Sequence, residues 1–152
     1  GSGWWQPEVT KETIDTSLQL FDAIFLSSPS FAWYYARDDT NALAYWESQV
    51  GLLCNRAKEH NSLTIATTIP YYDNRKVRPK TGIEIPLTIK GQLSYDLFWE
   101  IALDNEPDLV LIASWNNYYE SSCIEPTLEF GKQFLDRTEY WVSMFKASQL
   151  LG

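Results

Sequence analysis

The stretch that most constrains the fold is Leu109-Val110-Leu111-Ile112-Ala113, an unbroken apolar run set directly after the breaker Pro107-Asp108. A half-solvated strand alternates polar and apolar residues. An unalternated run with two β-branched side chains predicts a strand buried on both faces, as in a parallel sheet covered by helices. The run then turns abruptly polar and aromatic at Ser114-Trp115-Asn116-Asn117-Tyr118-Tyr119-Glu120. In parallel α/β folds, residues just past the carboxyl ends of strands face the ligand. Two amides, two phenols, an indole and a carboxylate at such a point favour a site over an ordinary amphipathic loop.

Two more strand-like runs precede it. Phe21-Asp22-Ala23-Ile24-Phe25-Leu26 ends at Ser27-Ser28-Pro29, and Leu63 to Ile69 is rich in β-branched residues. Helices fall between them. One runs from about Thr10, its N-cap, to Leu20, with Ile14 and Leu18 on one face. Asp38 and Asp39 supply caps for a second, reaching His60, whose Leu43, Trp46, Val50, Leu53 and Ala57 step by three and four. A third spans Leu93 to Leu103. A last one opens at Pro126-Thr127 and turns Phe130, Phe134, Trp141 and Phe145 inward. On that reading Glu125 sits where a carboxylate meets the positive end of the helix, a structural role. Ser30 to Tyr35 is expected to be a strand-end loop, with Trp33 and Tyr34 either lining a site or packing on helices. An aromatic lead-in, Trp4-Trp5-Gln6-Pro7, precedes all of this.

Strand–helix alternation repeated three times implies right-handed crossovers and one parallel sheet. The 152 residues therefore read as a single α/β domain. Three βα units are too few to close an eight-stranded barrel, which takes roughly 250 residues.

The composition narrows the partners. A net charge of −8, with no basic cluster longer than Arg75-Lys76-Val77-Arg78, argues against nucleic acid and against an anionic membrane surface. No apolar run approaches the ~20 residues that span a bilayer. One histidine and two separated cysteines offer no metal-ligand spacing. No phosphate loop, dinucleotide fingerprint or Gly-x-Ser-x-Gly elbow is present, so no cofactor is expected. Seven Trp and nine Tyr are many for this length. Flat rings beside amides and carboxylates suit sugars, whose apolar faces stack and whose hydroxyls take hydrogen bonds.

One long motif carries a family resemblance. Ser114 to Pro126, followed by Glu129-Phe130-Gly131 and Phe134-Leu135, resembles the C-terminal signature of glycoside hydrolase family 99 and its WbsX-like relatives. Their pattern is approximately Ser-Trp-Asn-Glu-Trp-x-Glu-Gly-x-x-Ile-Glu-Pro. Phe21-Asp22-Ala23 and Pro70-Tyr71-Tyr72-Asp73-Asn74 to Arg78-Pro79 are similar to further segments of that family, the second being a loop its members use at the sugar site. The resemblance implies that the chain is the last three βα units of a (β/α)8 barrel, completed by an N-terminal barrel half or by a second copy. An independent three-stranded α/β sandwich is the alternative.

By the same resemblance, the ligand is an oligosaccharide of mannose or glucose type. Glu120 matches the glutamate that serves as general acid and then base. Asn117 stands where the family has its first glutamate, which assists attack by the sugar's own 2-hydroxyl. An amide has no useful basicity near neutral pH, though it can hold a hydroxyl. Either another carboxylate substitutes, with Asp73 and Asp22 the first candidates, or the reaction differs, or the chain binds sugar without cleaving it. Trp115, Asn116, Tyr118, Tyr119, Tyr72, Asp73, Arg78, Trp33 and Tyr34 are the candidate sugar contacts.

Overall fold

The computed structural model describes residues 9–36 and 38–151. The lead-in Trp4-Trp5-Gln6-Pro7 lies outside them. Helix α1 (Lys11–Leu18) is opened by Thr10, whose side chain accepts from Thr13 N while Thr13 reaches back to the cap, a reciprocal pairing that satisfies two orphan donors. Strand β1 (Ala23–Ile24) leads into the short helix α2 (Ser30–Tyr35) and the long helix α3 (Asp39–Glu59), capped by Asp38. Strand β2 (Leu63–Thr68) follows, then two small antiparallel ribbons, β3 (Tyr72–Asp73) with β4 (Glu84–Ile85) and β5 (Thr88–Ile89) with β6 (Gln92–Leu93). Helix α4 (Ser94–Asp104) precedes strand β7 (Leu109–Ile112). A turn pairing β8 (Asn116–Asn117) with β9 (Ser122–Cys123) leads to the last helix, α5 (Gln133–Leu151).

The three main strands form one parallel sheet in the order β1-β2-β7. The alternation in the sequence therefore gives the architecture it implies, one parallel sheet with helices between its strands. Register pairs Ile65 with Leu109 and Thr68 with Ile112, so paired side chains share a face. Ile24, Ala66, Val110 and Ile112 face the helices, packed with or against two buried clusters. The larger cluster centres on Ile14, Trp46, Val50, Leu53 and Phe98, joining α1, α3 and α4 to the sheet. The smaller holds Tyr95, Trp99, Phe134 and Trp141 between α4 and α5. Asp96 clamps that seam, accepting from Trp141 Nε1 at 2.6 Å and pairing with Arg137 at 2.8 Å.

The opposite sheet face is open at its edges, although Thr67 of β2, paired with Leu111, is buried there and donates to Leu26 O. Phe25, Leu63, Leu109 and Leu111 alternate onto it and are all exposed. Leu109 to Ile112 is thus not buried on both faces as its composition predicts. It is an edge strand, covered by helices on one side and open on the other. The run has the composition of a barrel interior; no described residue covers its second face.

Two other expectations are corrected. Ser30 to Tyr35 is a helical turn and a half, not a loop, and it begins at Pro29, whose fixed φ suits a helix start. The last helix begins at Gln133 rather than at Pro126-Thr127. Thr127 and Gly131 instead close a tight turn through bonds of 3.1 and 2.8 Å, with Gly131 at φ +55°. Glu125 consequently caps no helix; its carboxylate accepts from the Tyr118 hydroxyl.

Candidate functional site

Glu120 lies in the loop that leaves the carboxyl end of β7. The loop folds back on itself because Asn116 and Asn117 pair with Cys123 and Ser122, forcing Tyr118–Glu120 into a single 3₁₀ turn closed by Ser121 at φ +56°. Ser114 holds both arms: its hydroxyl donates to Ser122 O at 3.0 Å and accepts from Asn117 N at 3.1 Å. The half-buried Glu120 carboxylate then points across to the loop after β2. The Tyr72 hydroxyl donates to Glu120 Oε1 at 2.8 Å, and Asn117 Nδ2 donates to Oε2 at 2.9 Å. Each carboxylate oxygen is therefore held by a separate donor, one from its own loop and one from the neighbouring strand's loop.

Tyr72 is buried, and burial pushes its phenol well above the ordinary tyrosine range, with the nearby Glu120 adding to the effect. It stays a hydroxyl donor at neutral pH. Its ring is placed by β3–β4, and its oxygen also accepts from Asn74 Nδ2 at 2.8 Å. The same Asn74 nitrogen reaches the Tyr34 hydroxyl at 2.9 Å. Tyr34, Tyr72 and Glu120 follow β1, β2 and β7 respectively, so three adjacent strand ends converge on one network. Asn74 was not singled out in the sequence; its place inside the Tyr-Asp-Asn run was the available signal.

The remaining candidates divide. Trp115, Asn116, Tyr118 and Tyr119 are exposed around Glu120, with Tyr119 at 82 % exposure. Asp73 points away from Tyr72, as neighbours on a strand must. Its carboxylate is taken by Arg75, at 2.9 Å from both Nε and Nη2, and that guanidinium holds it below the usual carboxylate range. Arg75 also meets Glu84 at 2.7 Å, and Glu84 accepts from the Tyr71 hydroxyl. Arg78 is exposed, and it is its backbone that closes the turn, accepting from Gly82 N at 2.6 Å. Trp33 sits in the larger core, 8 % exposed, edge-on to Phe98 with its Nε1 bonded to Asp39 at 2.8 Å. Of its two readings the structure selects helix packing.

Asp22 precedes β1, and its carbonyl accepts from Leu63 N at the amino end of the sheet. Parallel strands put it at the opposite end from Glu120, so it cannot supply a second carboxylate there. A hollow of about 630 Å³ near that amino end is lined by Asp22, His60 and Asp108 among others. It lies away from the loops that carry the candidate residues. Cys123 is buried, and burial, then Glu125 and Glu129, raises its thiol, the opposite of an activated nucleophile.

Fold and site together define a (β/α)-barrel segment with a carboxylate clamped at the carboxyl end of its strands. Among solved structures, the chain is similar to the family 99 endo-α-mannosidase of Bacteroides thetaiotaomicron, with a TM-score of 0.62 and 23% identity, covering 90% of this chain and 41% of that one. The same enzyme in complex with bis-tris-propane gives 0.63 and 21%, covering 93% of this chain and 45% of that one. The family 99 fold expected from the motifs is thus present. The chain spans less than half the length of these structures. No family model matches the chain, and no curated protein does.

Proposed function

We propose that this chain is the C-terminal portion of a carbohydrate-active (β/α)8 barrel that acts on mannose- or glucose-type oligosaccharides, with Glu120 as general acid/base. The observation that carries the reading is the clamp on Glu120, its two oxygens held by Tyr72 and Asn117 from two strand-end loops. Glycoside cleavage needs a carboxyl group held against the leaving oxygen. Trp115 and Tyr119 offer flat surfaces for pyranose faces, and Asn116 and Tyr118 offer polar groups for hydroxyls. Asp73 and Arg78 stand further out on the β2 loop and would meet the glycan only beyond the reacting bond.

A second reading rests on Asn117 itself. With an amide in place of the family pattern's first glutamate, the site could hold sugar without turning it over. Completion of the barrel comes from a complementary N-terminal half or a second copy, seated on the open face that carries Phe25, Leu63, Leu109 and Leu111. Titration of the assembled protein with mannose and glucose oligosaccharides, followed by tryptophan fluorescence, is expected to saturate. Absence of binding to every member of the panel would overturn both readings.

A further inference from the structure

We propose that Asn74 is a positioning residue for Glu120: its buried side-chain amide sets the direction of the Tyr72 hydroxyl proton and so aims that hydroxyl at the carboxylate. The inference rests on reading Glu120 as the reacting group, but its geometry stands apart from any activity. Asn74 is only 1 % exposed. Its Oδ1 accepts from Ile83 N at 2.8 Å. A backbone N–H can only donate, so the amide has one admissible orientation, with its NH2 turned toward the two phenols. One N–H goes to Tyr34 at 2.9 Å and the other to Tyr72 at 2.8 Å.

Tyr72 has one hydroxyl proton. With Asn74 donating to its oxygen, and the Ser30 hydroxyl bonding to the same phenol, that proton is left for Glu120 Oε1, 2.8 Å away. The chain of bonds therefore runs in one direction, from Ile83 N–H through the amide and the phenol to the carboxylate, and each link polarises the next. The backbone of Asn74 is pinned as well, donating to Ile83 O at 3.1 Å and accepting from Arg78 N at 2.8 Å. One residue thus fixes the β2 loop and, through Tyr34 and Tyr72, sets it against the loops that follow β1 and β7.

Asn74→Asp keeps the shape but replaces the amide donor with an acceptor, so the single Tyr72 proton is shared between two competing carboxylates and its bond to Glu120 weakens. The test follows the Glu120 carboxyl carbon by NMR at pH 7 in the ¹³C-glutamate-labelled protein, assigned with Glu120→Gln. Tyr72→Phe and Asn74→Asp are each expected to shift that resonance, and the double variant to shift it no further than Tyr72→Phe alone. A folded Asn74→Asp protein with the parent resonance, or a fully additive double variant, contradicts the proposal. Should Asn74→Asp fail to fold, solvent exchange of the Asn74 side-chain amide protons decides in the parent. Exchange slowed at least ~10²-fold relative to an exposed asparagine supports the proposal, as for other buried bonded protons; exchange at the free rate overturns it. Neither readout needs a substrate, so a failure of catalysis leaves this test standing.

Discussion

Asn117 Nδ2 lies 2.9 Å from Glu120 Oε2, so an amide donates to the carboxylate at the position where the family 99 pattern carries a second carboxylate. A glutamate there would bring a negative charge beside Glu120 instead of a hydrogen bond. Under the proposed function, Asn117→Glu is therefore expected to raise turnover of a mannose- or glucose-type oligosaccharide by about 10²-fold, the lower end of what a positioned base contributes. An unchanged kcat would show that position 117 has no part in bond cleavage.

The exposed apolar side chains on the open sheet face predict association. Four large apolar side chains, Phe25, Leu63, Leu109 and Leu111, share it, and β1 and β7 are both open edges. Contiguous exposed apolar area beside unpaired strand edges marks a contact surface. Sedimentation should find the chain heavier than a single copy, and Leu111→Asp should shift it toward the monomer. A monodisperse parent monomer would speak against completion by a second copy.

Gly82 controls the loop that bears Tyr72 and Asn74. A Cβ there would meet Arg75 Cα at 2.6 Å and Arg78 O at 2.7 Å, both backbone atoms that cannot swing aside. Gly82→Ala should destabilise the protein by about 1–3 kcal/mol, the usual cost of forcing an extra carbon into a filled space. The thermal midpoint should fall and the Tyr72 resonances should move with it. An unaltered midpoint would mean that the turn is looser than its contacts.

Acid should loosen the sheet at one definable point. Asp108 Oδ2 accepts from Thr64 N and Thr64 Oγ1, both at 2.7 Å, and these bonds hold its carboxyl below the ordinary aspartate value. A carboxylate with a depressed folded pKa contributes stability above its unfolded value of about 3.9, and that contribution is lost as pH falls through the folded value. The thermal midpoint of Asp108→Asn should therefore depend less steeply on pH below about 4 than that of the parent. Parallel curves would remove Asp108 from the account.

Much of the fold was legible because periodicity reports local burial. The stripe through Trp46, Val50, Leu53 and Ala57 gave α3 to within a residue or two, and Thr10 and Asp38 marked the caps they form. What failed depended on partners distant in sequence. Leu109 to Ile112 has an interior composition, but exposure depends on which strands lie beside it. The start of α5 departs from the sequence pattern because the Thr127–Gly131 turn competes with helix formation at Pro126. At the site, the motif located Glu120 and Tyr72. It could not show that Asn74 joins them, because that junction requires three loops from three strands, nor that Trp33 turns inward toward Phe98.

Glu120 carries the proposed chemistry. Kinetics of Glu120→Gln on mannose- and glucose-type oligosaccharides, measured on the assembled protein beside direct binding, separate its chemical role from a structural one. The expected result is turnover lowered by about 10²–10⁴-fold with glycan affinity retained, as for loss of a general acid or base. Turnover equal to the parent's, with Glu120→Gln folded and saturated with glycan, would contradict the assignment.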